Sequence, residues 1–199
     1  MIEDNLLDKY LTQFDSLKVV VTESTNRTVV EPVDPLFYDN QNVFIKSYLV
    51  SSCSILEAYI QDLAESYLIV LQARVSAANL PYNFVIWLAE YEKAKLSYEP
   101  FKGKKTRKDI NDMISPNYFK TLKAFERIGV DVSTPDVDGY KDFISSIVVK
   151  RNKIVHHNDS ASDLSFADII AAIEEFKKYA RCLFEAVRLN PHLNQSVKQ

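Results

Sequence analysis

The stretch Lys150–Asp159, "KRNKIVHHND", ends the most informative helical segment of the chain. It follows "GYKDFISSIVV" at Gly139–Val149, and a new helix start comes shortly after it. At about 100° per residue, the apolar residues of this segment form one stripe, and Arg151 projects within about 10° of its centre. The stripe consists of Phe143, Ile144, Ile147, Val148, Ile154 and Val155. A helix is predicted here, and it carries a cation among its apolar residues.

That cation needs a partner. Removing an arginine from water costs several kcal/mol unless its charge is compensated. No acidic residue stands three or four positions from Arg151 on the same helix, because those positions are apolar. The partner is therefore a carboxylate of another helix, a residue of a second protomer, or an external anion such as phosphate. A planar guanidinium suits phosphate because its donors fork around two oxygens.

Polar residues flank the arginine. Asn152 and His156 lie about one turn apart on one side of the stripe, whereas His157 lies on the other side. An imidazole exchanges protons near neutral pH. An arginine and a histidine, with no metal ion, are a reasonable set of side chains for cleaving RNA by attack of its own 2′-hydroxyl. The alternative is structural: Arg151 pairs with Glu57 or another acid, and the histidines occupy a frayed helix end.

Composition favours an all-α protein in a single domain, residues 1–199. The chain has only 3 glycines, and its net charge of −3 gives no overall attraction for nucleic acid. Cys53 and Cys182 stand in helical patterns outside any metal spacing, which predicts free thiols in a reducing compartment. The N-terminus lacks the features of a signal peptide, and we expect no membrane-spanning segment. A cytoplasmic location is predicted.

Periodicity and helix-stop residues predict the order of the helices. An N-terminal helix over about residues 3–21 and an extended connector make up residues 1–38, and residues 39–190 form the core. In the core we expect helices over about 39–76, 82–96, 117–129, 138–155 and from 165 to Pro191. Ser165 and Asp168 predict a capping box for the last of these. The predicted fold is a helical bundle with two long antiparallel helices and the Arg151–His156 motif at the end of the penultimate helix.

A local basic patch provides the positive charge that the whole chain lacks. The run "KGKKTRK" is a candidate RNA-backbone contact, and Tyr98 and Phe101 are candidate base-stacking residues. A solvated loop and core aromatics are the alternatives. The candidate RNA-binding residues, including two beside the motif, are Lys102, Lys104, Lys105, Arg107, Lys108, Lys150 and Lys153.

Metal and cofactor sites are not predicted. His156 and His157 are consecutive and point in different directions, and no second ligand cluster accompanies them. The chain also lacks the glycine-rich phosphate-binding motifs and the metalloprotease and serine-hydrolase motifs. We therefore expect chemistry that needs neither a metal nor a cofactor.

The hexapeptide "RNKIVH", Arg151–His156, resembles the signature of the HEPN superfamily: arginine, a polar residue, variable positions and histidine. The helix "SYLVSSCSILEAYIQDLAESY", Ser47–Tyr67, resembles those of RiboL-PSP-type and MAE_28990-type HEPN proteins through Glu57, Ala58 and Tyr59. The resemblance covers about residues 40–189. It implies a helical bundle with the motif at the end of the penultimate long helix.

The resemblance also implies roles for individual residues. Arg151 would hold the scissile phosphate, His156 would act as general base or acid, and Asn152 would orient the histidine or the phosphate. His157 and Glu57 would be auxiliary: His157 is the alternative to His156, and Glu57 would pair with Arg151 or be an ordinary surface acid.

Many HEPN proteins are metal-independent endoribonucleases of toxin–antitoxin and phage-defence systems. The resemblance therefore implies RNA as substrate, a homodimer with two facing motifs, and an antitoxin or defence-system partner. We expect the dimer to bury the stripe from Phe143 to Val155. The alternative function is a non-catalytic HEPN module that binds a protein or a nucleotide, or a subunit whose complex has its chemistry in another chain.

Overall fold

The computed structural model describes residues 5–91, 95–103 and 105–194. Within these ranges the chain forms ten helices and no strand, apart from one isolated bridge between Pro81 and Pro100. The all-α prediction is confirmed. The helices are α1 Asn5–Val29, α2 Pro35–Asp39, α3 Gln41–Ala77, α4 Tyr82–Leu88, α5 Arg107–Asn111, α6 Tyr118–Arg127, α7 Pro135–Asp138, α8 Lys141–His157, α9 Phe166–Arg188 and α10 Pro191–Asn194.

Helix α3, with 37 residues, is the centre of the bundle and packs against α1, α8 and α9. Its fully buried Tyr59 donates a hydrogen bond to the carbonyl of Ala180 on α9 at 2.8 Å and meets the ring of Tyr10 on α1 edge-on. By length and composition α3 would also suffice to cross a membrane. The apolar core helix of a bundle meets the same test, and this is the position that α3 occupies.

Contacts between the long helices define their directions. Tyr10 contacts Tyr59 and Ser24 contacts Tyr48, so α1 runs antiparallel to α3. On α9, Phe166 lies next to Tyr48 and Ala180 next to Tyr59, so α9 runs parallel to α3. Helix α8 is antiparallel to both, which places its C-terminal end beside the N-terminal half of α3.

The first helix is longer than predicted. The expected connector is helical as far as Val29, because Val21, Ser24 and Thr28 continue the buried stripe. Ser24 and Thr28 donate their hydroxyls to carbonyls of their own helix, so these polar residues are buried at little cost. The proline at position 32, which has no N–H to donate, lies just beyond the end of this helix.

The helix predicted after Pro81 is shorter than expected. It ends at Leu88, and residues 89–91 and 95–103 are irregular. Glu90 adopts a positive φ of 53°, which breaks the helical hydrogen-bond pattern. The Phe101 N–H donates to the Leu80 carbonyl at 2.7 Å, so this segment leaves the bundle and returns at nearly the same point.

The last two long helices are close to the prediction. Ser165 and Asp168 form the predicted capping box at the start of α9, and each side chain bonds the other residue's backbone N–H. Helix α8 begins at Lys141, because Pro135–Asp138 forms a separate short helix. It ends at His157, so the motif lies in its last two turns.

The apolar stripe of α8 is buried within the chain. Ile144 and Val148 belong to the core, and Phe143 contacts Phe176 on α9 with ring centroids 5.8 Å apart. The expectation that this stripe forms a dimer interface is therefore wrong, because its residues already pack on the bundle. Val155 is the exception and is half exposed.

Candidate active site around Arg151

Arg151 lies between the end of α8 and the middle of α3. Its side chain is 23% exposed, and the closest carboxylate oxygen is Oε2 of Glu57, 3.6 Å from Nη2. That separation lies beyond hydrogen-bond distance, so the two groups attract each other without forming a direct hydrogen bond. The expected pairing with Glu57 is present as a loose ion pair.

Asn152 orients the guanidinium. Arg151 Nη1 donates to Asn152 Oδ1 at 3.1 Å. The buried Nε of Arg151 has no hydrogen-bond partner among the residues that the structure describes. The guanidinium is thus positioned by one amide oxygen and one carboxylate, and its remaining Nη donors have no hydrogen-bond partner among the described residues.

The end of α8 is held by two lysines. Asn158 terminates the helix in the left-handed conformation (φ 49°), and Lys46 on α3 donates to its side-chain oxygen at 3.2 Å. Lys150 bonds Asp159 at 3.2 Å and Asp163 at 2.5 Å in the following loop. These contacts fix the last turn of α8 on α3 and with it the position of the motif.

Both histidines of the motif face solvent. The ring centroids of His156 and His157 are 6.5 Å apart, and the rings are inclined by 66°. His156 shares the outer face of α8 with Val149 and Asn152, at spacings of seven and four residues. This face joins one edge of the arginine site to open solvent, as an acid or base acting on a bound polymer requires.

Cys53 lies one turn before Glu57 on α3 and is fully buried. Burial raises the pKa of its thiol to about 12, against a smaller lowering effect of Arg151. The thiol therefore stays protonated at neutral pH and is no nucleophile for this site. Cys182 is also free, and burial raises the pKa of its thiol as well.

The candidate RNA-binding residues are not all equally available. Lys150 is bound in the loop described above, and Arg107 donates to Asp62 at 2.6 Å and to Glu65 at 2.5 Å. Lys105 lies 3.5 Å from Asp109, and Lys104 lies outside the described residues. The others, Lys102, Lys108 and Lys153, are exposed.

The structure separates the lysine run from the motif. Gln72 of α3 donates to the Lys105 carbonyl at 3.2 Å, which places the run beside the C-terminal half of that helix. Glu57, which faces Arg151, lies roughly 22 Å away along the α3 axis at 1.5 Å per residue. The two candidate regions are therefore distinct surfaces.

Several positioning residues escaped sequence reasoning. Lys46 and Asp163 belong to no recognisable sequence motif. Their hydrogen-bond partners lie in other segments of the chain, so the sequence does not reveal the contacts. Asn158, directly after the helix, is a recognisable signal, since asparagine tolerates the left-handed conformation at helix ends. Among the described residues, no group of three or more His, Cys, Asp or Glu side chains is arranged to hold a metal ion.

The comparison with protein families bears on these observations. The family model described as RiboL-PSP-HEPN matches residues 26–188. No curated protein and no solved structure shows a significant match. The matched region begins near the end of α1 and runs through α9, so it includes Glu57 on α3 and the whole of α8. The chain therefore belongs to the RiboL-PSP-HEPN family.

Proposed function

We propose that this protein is a metal-independent endoribonuclease that acts in a toxin–antitoxin or phage-defence setting. Membership of the HEPN family supports a nuclease-like module. The observation that carries the proposal is the incomplete pairing of Arg151: about three-quarters of its side chain is covered, yet its guanidinium donates one hydrogen bond, to Asn152, and its nearest carboxylate oxygen lies at 3.6 Å.

In the proposed reaction, Arg151 binds the non-bridging oxygens of the scissile phosphate. The 2′-oxygen attacks phosphorus, the bond to the 5′-oxygen breaks, and a 2′,3′-cyclic phosphate remains. His156 takes the proton of the 2′-hydroxyl or gives one to the leaving 5′-oxygen. The phosphate displaces the loose contact with Glu57, since a dianionic transition state attracts the guanidinium more strongly than a partly hydrated carboxylate does.

The proposal includes a homodimer that uses the outer face of α8. Val149 and Val155 are 52% and 49% exposed beside the motif, although both are apolar. Packing two copies across this face would bring two Arg151–His156 pairs together and exclude water from them. A non-catalytic module remains the second candidate, favoured by the carboxylate of Glu57 that faces Arg151.

Cleavage of RNA in the presence of EDTA tests the proposal. We expect wild-type protein to cut single-stranded RNA with cyclic-phosphate ends, and Arg151→Ala and His156→Ala to lower the rate by about 10²- to 10⁴-fold. His192→Ala is the matched control, because His192 lies on α10. Absence of cleavage by the wild type, or full activity of both motif variants, would favour the non-catalytic candidate.

The dimer is tested by light scattering. We expect a wild-type dimer at micromolar concentration and a monomer for Val149→Asp. Val19→Asp is the control, because Val19 is also an exposed valine but lies on α1. A wild-type monomer that cleaves RNA would reject the composite site and retain the enzyme.

A further inference from the structure

Exposed aromatic side chains are concentrated in residues 80–101. Phe84, Trp87 and Leu88 share one face of α4, and that face points to solvent: Trp87 is 73% exposed. Tyr91 is also exposed and is tied to the end of α4 by its N–H, which donates to the Ile86 carbonyl at 3.1 Å. Tyr98 is 98% exposed. Such rings are normally buried, so a cluster of them on the surface indicates a binding face.

The segment is closed on itself, which keeps these rings together. The N–H of Tyr82 donates to the Glu99 carbonyl at 3.0 Å, and the Ser97 N–H donates to Asn83 Oδ1 at 2.7 Å. The rings of Tyr82 and Phe101 pack with centroids 6.0 Å apart. Phe101, a candidate base-stacking residue, is thus used inside the segment, whereas Tyr98 stays free to stack.

Positive charge accompanies the aromatic face. Residues 80–108 contain seven basic and three acidic side chains, a net charge of +4 in a chain whose total is −3. Two of the seven, Lys105 and Arg107, are paired with acidic residues outside this range. Lys102 follows directly on the closed end of the segment, which puts it within about 20 Å of Trp87 by chain length and helical rise. Lys95, Lys102 and Lys108 are exposed.

We propose that the outer face of α4, with Tyr91, Tyr98, Lys102 and Lys108, is a docking site for single-stranded RNA. Aromatic faces stack on unpaired bases, and lysines follow the phosphate backbone. A duplex offers no free base faces, so the aromatic residues select a single strand. This inference rests on the proposed ribonuclease function, for which it names the substrate class and a contact distinct from the motif.

Trp87 is the only tryptophan of the chain, so its fluorescence reports directly on this face. The probe is a 12-nucleotide 2′-O-methyl oligouridylate, which lacks the attacking hydroxyl and is not cleaved. We expect the oligonucleotide to quench Trp87 fluorescence and Trp87→Ala to weaken its binding, measured by anisotropy, about fivefold to a hundredfold. Tyr38→Ala, another exposed aromatic on α2, is the control. Circular dichroism melting verifies that both variants fold.

The lysines are tested through the salt dependence of the same binding. Lys102→Gln and Lys108→Gln should each lower the slope of log affinity against log salt by about 0.7. Lys123→Gln, an exposed lysine on α6, should leave the slope unchanged.

Three results would overturn the inference: unchanged affinity in Trp87→Ala, equal affinity for a duplex of the same length, or a Trp87 signal that depends on protein concentration alone. A Trp87 signal that depends on protein concentration alone would mean that this face binds a second copy of the protein. Binding without any cleavage of ordinary RNA would reject the ribonuclease and keep the RNA site.

Discussion

Two arginines face carboxylates of the same helix, and they do so very differently. Arg107 is 53% exposed, yet it donates to Asp62 and Glu65 at 2.6 and 2.5 Å. Arg151 is only 23% exposed, and its nearest carboxylate oxygen lies at 3.6 Å. The arginine with the more buried side chain makes fewer hydrogen bonds. Since unsatisfied burial is unfavourable, the comparison indicates a structural role for Arg107 and supports the proposal that Arg151 binds an anion.

The surroundings of Arg107 support this assignment. Asp62 also accepts hydrogen bonds from the hydroxyl of Tyr10 at 2.6 Å and from Lys9 at 3.2 Å. The network ties α1, α3 and α5 together. Around Arg151, by contrast, the short polar contacts are made by Lys46 and Lys150. These contacts hold the end of α8 and the loop after it, and they do not pair the donors of the Arg151 guanidinium.

The largest expected effect separates the two arginines by activity. Arg151→Lys keeps the charge but loses the planar fork, and we expect the single-turnover rate of RNA cleavage to fall by about 10²- to 10³-fold. Arg107→Lys should stay within threefold of wild type in the same assay. Equal losses in both variants would show that the comparison does not distinguish function from structure.

Stability should show the opposite order. Arg107→Ala removes two ion pairs at the surface, and we expect the free energy of unfolding in urea to fall by about 1 kcal/mol. Lys108→Ala, the neighbouring exposed residue, should change it by less than about 0.5 kcal/mol. An Arg107→Ala protein as stable as wild type would contradict a structural role.

The pH dependence of stability sharpens the same point. Burial raises the pKa of Asp62, but hydrogen bonds from Tyr10, Arg107 and Lys9 outweigh it and hold the pKa below its ordinary value. A lowered carboxyl pKa in the folded state stabilises the protein above the unfolded pKa, near 3.9, and this stabilisation is lost as pH falls through the folded value. As the pH is lowered below about 4, the melting temperature should therefore fall more steeply for the wild type than for Arg107→Ala.

The smallest effect concerns the carboxylate that faces Arg151. Glu57→Gln removes a competitor of the phosphate, and we expect the KM for a short RNA to fall by roughly two- to fivefold, since a loose pair without a direct hydrogen bond contributes at most about 1 kcal/mol. Glu65→Gln, on the same helix but bound to Arg107, should leave KM unchanged. A higher KM in Glu57→Gln would mean that Glu57 positions Arg151 more than it competes.

Several features of the site were predictable from residue patterns. The central helix, the capping box at Ser165, the place of the motif at the end of the penultimate long helix and the proximity of Glu57 to Arg151 all agree with the structure. The family assignment is confirmed as well. The prediction of an extended connector after residue 21 is wrong, because it took polar residues as the end of the helix. Ser24 and Thr28 instead donate hydrogen bonds to carbonyls of α1 and are buried in it. The α8 stripe was recognised as buried, but its partner within the chain was not.

Periodicity, caps and the Arg151–His156 spacing are local properties, so the sequence by itself determined that the chain is helical and that a cation would sit among apolar residues. Tertiary structure alone decided that α8 buries its stripe on the bundle. It also decided that the Arg107 guanidinium is paired with two carboxylates and that the Arg151 guanidinium keeps unpaired donors. The physical reason is that a charge is satisfied by groups distant in sequence, and their distances to it exist only once the helices have packed.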